Sequence, residues 1–208
     1  MLDLLGKSTS INVRKVQWLC AELGLQYRQL GADGHDADFL AALHPLNPNG
    51  QAPVIRDGDF VLWESNSICR YLAAAAGRHD LLPRDPRSRA RARVEQWMDW
   101  QATDLNTAWR HVFMARVRQH PAYPDDGAAQ ASLVQWNRLM QHLDQQLAGT
   151  GAYVVGEDFT LADIVLGLST QRWRLTPGDK PELPAVAAWF HRLGPRPGFA
   201  RHCDNGVA

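Results

Sequence analysis

The sequence predicts an α/β domain over residues 1–78 followed by an all-helical domain over residues 88–208, with a linker at 79–87 between them. Three observations carry this. Short apolar strand-like runs occur only in the first part, where they alternate with helical repeats. From Arg78 to Pro86 the composition turns to Arg, Asp and Pro and all periodicity stops. Beyond that point every apolar pattern has three- and four-residue spacing.

Leu2 to Leu5 is a short apolar strand closed by Gly6. Val13, Val16, Leu19, Cys20 and Leu23 then form one helix face, which Gly24 stops. Tyr27 to Leu30 is a second, weaker strand. Gly31 to Asn49 is irregular, with a helical turn around Phe39 to Leu43. Pro53 cannot donate to a β-ladder and so belongs at the start of a strand or on an edge. Asp57-Gly58 is a hairpin turn between Val54-Ile55 and Phe60-Val61-Leu62. Ser65 or Asn66 takes the N-cap of a helix that carries Ile68, Cys69, Tyr71 and Leu72 and ends at Gly77. The order is β-α-β, then β-β-α.

In the helical part, Arg87 to Gln119 is one long helix or a broken pair, with Val94, Trp97, Gln101, Leu105, Ala108 and Val112 along its buried stripe. Trp97, at the centre of that stripe, is read as core. Ala128 to Ala148 turns Leu133, Trp136, Leu139, Met140, Leu143 and Leu147 inward. Thr160-Leu161-Ala162-Asp163 is a capping box with Asp in place of the usual Glu. Pro184 to Leu193 forms a last helix, and the tail is irregular.

Lys+Arg and Asp+Glu are both 22 in 208 residues, so no basic surplus points to nucleic acid or an anionic membrane. Cys20, Cys69 and Cys203 lack the spacing of a zinc site or a disulfide framework, and read as small buried hydrophobes. No apolar run approaches the ~20 residues of a membrane span, and Met1 to Leu5 is too short for a signal peptide. These features point to a cytoplasmic protein without a metal.

The informative stretch is Asn47-Pro48-Asn49-Gly50-Gln51-Ala52-Pro53-Val54-Ile55, followed by Trp63-Glu64-Ser65-Asn66. It sets a backbone edge at Ala52 against a helix N-terminus, an arrangement suited to a short anionic peptide. Ser10 sits between the first strand and the first helix, near that helix's positive end.

Over essentially its whole length the chain resembles the cytosolic glutathione transferases, in particular bacterial members with a Ser/Asn active site of theta, delta or nu type. The motifs that carry the likeness are Ser10-Ile11-Asn12-Val13-Arg14-Lys15, Asn47 to Val54, Glu64-Ser65 and the capping box at Thr160 to Asp163. The resemblance implies a thioredoxin-like N-terminal domain with a cis-proline at Pro53, a helical C-terminal domain, a homodimer, and glutathione as co-substrate. It implies that Ser10 contacts the glutathione sulfur, with Asn12 as a second donor and Thr9 as a rival for the first role. Ordinary helix capping is the competing reading of both Ser10 and Asn12. Ala52 and Pro53 would hold the cysteinyl backbone, Glu64 and Ser65 the γ-glutamyl end, and Gln51 the glycyl end. Asp104 would reach glutathione in the partner subunit. Asn106, Trp109, Arg110 and Phe113 would wall a site for a small hydrophobic electrophile.

A free thiol has a pKa near 8.5, and lowering it by two units needs about 2.7 kcal/mol of preference for the anion. A hydroxyl donor and a helix N-terminus can supply most of that. With no cysteine at positions 9 to 12, a mixed disulfide with the protein cannot form there. The activity that the resemblance implies is glutathione transfer to an electrophile. The alternatives are a disulfide-bond reductase or peroxidase that works through bound glutathione, and a non-catalytic ligand-binding scaffold.

Overall fold

A computed structural model describes residues 1–31, 39, 41 and 43–208. Its first part contains β1 (Leu2–Leu5), α1 (Ile11–Leu23), β2 (Tyr27–Leu30), β3 (Val54–Asp57), β4 (Phe60–Trp63) and α2 (Ser65–Ala75). The sheet order is β2-β1-β3-β4, with β1 and β2 parallel and the other pairs antiparallel. A parallel pair requires a crossover, and α1 provides it. All four residues of β1 are buried, including Asp3, whose carboxylate pairs with Arg28 at 2.8 Å and Arg56 at 3.0 Å. The order β-α-β then β-β-α is as the sequence predicted, and the arrangement is the thioredoxin-like one that the resemblance implied. The helical turn expected around Phe39 to Leu43 falls partly outside the described residues.

Local chemistry fixes the ends of these elements. Gly24 closes α1 in the left-handed region, with φ 62°. Gly58, at φ 64°, makes the hairpin turn. Gly6 is required for packing as well as for conformation. Its φ is 145°, and a Cβ there would lie 2.5 Å from Val13 Cγ2 and 2.9 Å from the Ala52 Cβ. The loop before α1 is thus drawn tightly against the start of β3.

The second part is all helical: α3 (Arg89–Trp100), α4 (Asn106–Arg116), α5 (Asp126–Thr150), α6 (Leu161–Leu175) and α7 (Pro184–Arg192). The expected long helix is a broken pair, joined by a π-helical turn at Gln101–Leu105. Val94, Gln101, Leu105, Ala108 and Val112 are buried as the stripe required, but Trp97 is not. Met98 takes the buried position, and Trp97 lies half-buried with its ring edge-on to Trp100. All six inward residues expected of α5 are buried. The tail carries a π-helical turn at Phe199–Cys203, which the Pro- and Gly-rich composition had hidden.

The capping box is formed. Asp163, fully buried at the start of α6, accepts from Thr160 N at 2.8 Å and Thr160 Oγ1 at 3.1 Å. Its other oxygen accepts from Val154 N at 3.0 Å and Trp189 Nε1 at 2.9 Å. The single carboxylate therefore ties α6 to the preceding loop and to α7.

One apolar cluster runs through α1, α2 and the helices of the second part. Since α1 packs against α2, α6 and the Phe199–Cys203 turn, it is covered on several sides, and even Arg14 and Lys15 are buried within it. All three cysteines are buried, and burial pushes the Cys20 and Cys69 thiols up to about 12. Among the described residues, no helix is long and apolar enough to cross a membrane.

Candidate active site

Ser10 is the N-cap of α1, with extended backbone (φ −74°, ψ 125°). Its carbonyl accepts from Arg14 N at 2.9 Å, yet its side chain makes no capping hydrogen bond. The hydroxyl is thus not spent on the helix end. Ser10 lines a cavity of about 430 Å³ with Asn12, Gln51, Asn106, Trp109 and Phe113, together with Arg110, Arg118, Arg172 and others. Seven of the expected site residues meet there, Arg110 among them, drawn from the start of α1, the loop before β3, and α4. Thr9 is exposed and does not line it. A larger cavity of about 750 Å³, walled by Trp173, Leu183, Phe190 and Phe199, contains none of the expected residues.

The Ala52–Pro53 peptide is cis. Ala52 precedes the ladder, which begins at Val54, and its N–H and C=O make no backbone hydrogen bond among the described residues. That leaves an open strand edge of the kind an extended peptide can join. The edge is set by Asn47, whose Nδ2 donates to the Gln51 carbonyl at 2.7 Å while its Oδ1 accepts from Asn49 N at 3.0 Å.

Glu64, rather than Ser65 or Asn66, is the N-cap of α2. It sits at φ 72°, a region that non-glycine residues seldom occupy, and its side chain is exposed. Ser65 is the first helical residue and is buried. Asp104 does not line the Ser10 cavity. It lies on the π-helical turn, in a separate groove with Thr107, Gln135 and Leu139.

A buried polar chain connects the α2 start to the cavity wall. Lys15 Nζ donates to Asn66 Oδ1 at 3.2 Å and to Gln101 Oε1 at 2.6 Å. Gln101 Nε2 donates to Ser169 Oγ at 3.0 Å and to Asn106 Oδ1 at 3.2 Å. Asn106 Oδ1 also accepts from Trp109 Nε1 at 3.0 Å. Burial pulls the Lys15 ammonium down to about 8, so it remains charged at neutral pH. Replacing Lys15 by Met leaves two buried amide oxygens without this donor. The expected cost is about 3 kcal/mol of stability, or a melting temperature lowered by roughly 6–12 °C. Calorimetry of the variant checks this, and an unchanged melting temperature would show the network to be energetically idle.

Arg172, on α6, was not singled out by the sequence. It is almost fully buried, and its guanidinium carbon lies 4.0 Å from the Phe113 ring centroid and 4.5 Å from that of Trp109. Burial, then the charges of Arg14 and Arg118, bring it down to about 9. Arg118 and Tyr123 line the same cavity and were also missed, because they come from the loop region after α4, where no periodicity marks them.

Comparison with known proteins agrees with this architecture. The family model "Glutathione S-transferase, N-terminal domain" matches residues 4–80, and "Glutathione S-transferase, C-terminal domain" matches residues 126–192. The chain is 38% identical to Glutathione S-transferase GstB of Escherichia coli over 95% of both proteins. A more distant relative, Disulfide-bond oxidoreductase YfcG of Escherichia coli, is 28% identical over 95% of this chain and 92% of its own length. Among solved structures, a theta class glutathione S-transferase from Xanthomonas axonopodis pv. citri with glutathione bound superposes with a TM-score of 0.87 at 35% identity. That alignment covers 100% of this chain and 99% of the other. The chain therefore belongs to the glutathione S-transferase family.

Proposed function

We propose that this glutathione transferase joins the thiolate of bound glutathione to small hydrophobic electrophiles, with Ser10 as the hydrogen-bond donor to the sulfur. One observation carries the reading: the Ser10 hydroxyl, at the positive end of α1 and uncommitted to capping, opens onto the cavity that Trp109 and Phe113 wall from the other side. A donor fixed where negative charge must reside favours the anion without reorganising during the reaction. The sulfur bonds to the electrophilic carbon, and the leaving group departs with its electron pair. Asn12, in the same cavity, serves as a second donor.

The γ-glutamyl end lies at Glu64 and Ser65, with the amine on the carboxylate and the carboxylate on the start of α2. Ala52 and Pro53 pair with the cysteinyl backbone, and Gln51 takes the glycyl end by a neutral hydrogen bond. Residues 1–78 form the glutathione-binding domain, 79–87 the linker, and 88–208 the domain that supplies the electrophile walls. The protein works as a cytoplasmic homodimer in detoxification, with Asp104 directed to the partner's glutathione.

Steady-state conjugation of glutathione to a halogenated nitroaromatic tests the transferase reading, and absence of turnover with glutathione bound overturns it. Replacing Ser65 by Ala should raise the KM for glutathione about 10–100-fold with a much smaller change in kcat, because the contact exists before and during the reaction. Equal losses in kcat and in kcat/KM would contradict that role. The likeness to YfcG and the presence of Asn12 in the cavity favour a second reading, disulfide reduction through two bound glutathione molecules. A model disulfide turned over far faster than the nitroaromatic would select it.

A further inference from the structure

The cavity in front of Ser10 has hydrophobic aromatic walls, but its charge is entirely of one sign. Arg110, Arg118 and Arg172 line it along with Lys7, and no Asp or Glu side chain does so among the described residues. None of the three arginines makes an ion pair with an Asp or Glu side chain among the described residues. Arg118 and Arg172 lie close enough to repel each other, and Arg14 behind them repels both.

Arg172 is the most informative of the three. It is 3% exposed, and its Nε has no hydrogen-bond partner among the described residues. Its Nη2 lies 3.5 Å from the main-chain oxygen of Ala208, which also accepts from Arg14 Nη2 at 3.3 Å. Stacking on Trp109 and Phe113 holds the guanidinium plane in place. A fixed planar cation with an unused donor, beside two more arginines at the cavity rim, is a receptor for a carboxylate-like anion. The aromatic rings beside it suit a flat conjugated frame.

We infer that the electrophile taken at this site carries an anionic group, a carboxylate or sulfonate, on an aromatic or conjugated frame. The inference rests on the transferase reading above and narrows its substrate class. The sulfur of glutathione bonds to the electrophilic ring carbon, the carbon–halogen bond breaks, and halide leaves with the pair. The anionic group takes no part in bond changes; it is the handle that the arginines hold.

A matched pair tests this: 1-chloro-2,4-dinitrobenzene, which is neutral, and 4-chloro-3,5-dinitrobenzoate, which bears a carboxylate. With each rate divided by its uncatalysed reaction with glutathione, kcat/KM should favour the benzoate by about tenfold or more, the worth of one charge-assisted contact. In the double variant Arg110→Gln, Arg118→Gln the ratio of benzoate to neutral compound should fall by a similar factor. A sulfonate analogue should follow the benzoate, since the two share the anionic chemistry. Turnover of the neutral compound with no preference for the benzoate overturns the inference alone. A rise in glutathione KM in the double variant that matches the loss of benzoate preference overturns it too, because the cations would then belong to the glycyl end of glutathione. No conjugation of either compound removes the transferase reading and the inference with it.

Discussion

Replacing Ser10 by Ala should lower kcat for glutathione conjugation about 10²–10³-fold, the loss found when one fixed donor to a developing or resident anion is removed. The structure sharpens this expectation beyond what the sequence permits. A capping serine spends its hydroxyl on the second or third backbone N–H of its helix, and removing it costs stability. Ser10 makes no such bond. Ser10→Ala should therefore fold with nearly native stability while losing turnover, the opposite of the pattern for a cap. Ser10→Thr, which keeps a hydroxyl, should recover a large part of the rate. Thr9→Ala should remain close to the wild type, because Thr9 is exposed and outside the cavity. Turnover that follows Thr9 instead of Ser10 would transfer the role.

Replacing Asp163 by Ala should cost about 3–5 kcal/mol at neutral pH, and the melting temperature should fall by roughly 10 °C or more. The change strands four donors at once, two of them main-chain N–H groups and one the indole of Trp189. A pH series adds a second test. Burial raises the Asp163 carboxyl to about 6, above its ordinary value of about 3.9 in an unfolded chain. The folded state thus holds this proton more tightly between those values. The stabilisation it brings is fully present below about pH 4 and is lost as the pH rises through about 6. The stability difference between the wild type and Asp163→Asn should accordingly shift by up to about 3 kcal/mol, to the disadvantage of the wild type, between pH 4 and pH 6. Denaturant titrations across that range read the slope directly, and a flat difference would mean the carboxyl is not perturbed.

The elements set by local rules were legible in the sequence. Gly24 and Gly58 announced left-handed turns, Pro53 the first residue of a strand, and Thr160 with Asp163 the start of α6. Asn12 and Gln51 were named through the family resemblance, and Ser10 through its place before α1 as well; all three line the one cavity. What could not be read depends on partners distant in sequence. Arg14 and Lys15 lie outside the apolar face read from Val13, Val16, Leu19, Cys20 and Leu23, yet both are buried, because α6 and the Phe199–Cys203 turn also pack against α1. Lys15 finds its acceptors 51 and 86 residues away. Arg172 enters the cavity only because α6 passes behind α4, so the cationic lining came to light with the tertiary structure. Trp97 and Met98 exchange roles for a subtler reason: one residue of helix rotation decides which of two adjacent side chains faces the core, and a three- or four-residue spacing does not resolve it.

The proposal that Ser10 and the α1 N-terminus hold glutathione as its thiolate is open to direct measurement. Ultraviolet titration of the thiolate in the binary complex measures this with no electrophile present. The wild-type complex should ionise about two units below the ~8.5 of the free thiol, and Ser10→Ala should return most of that shift. A bound thiol that titrates like free glutathione, or a shift that survives intact in Ser10→Ala, would contradict the claim.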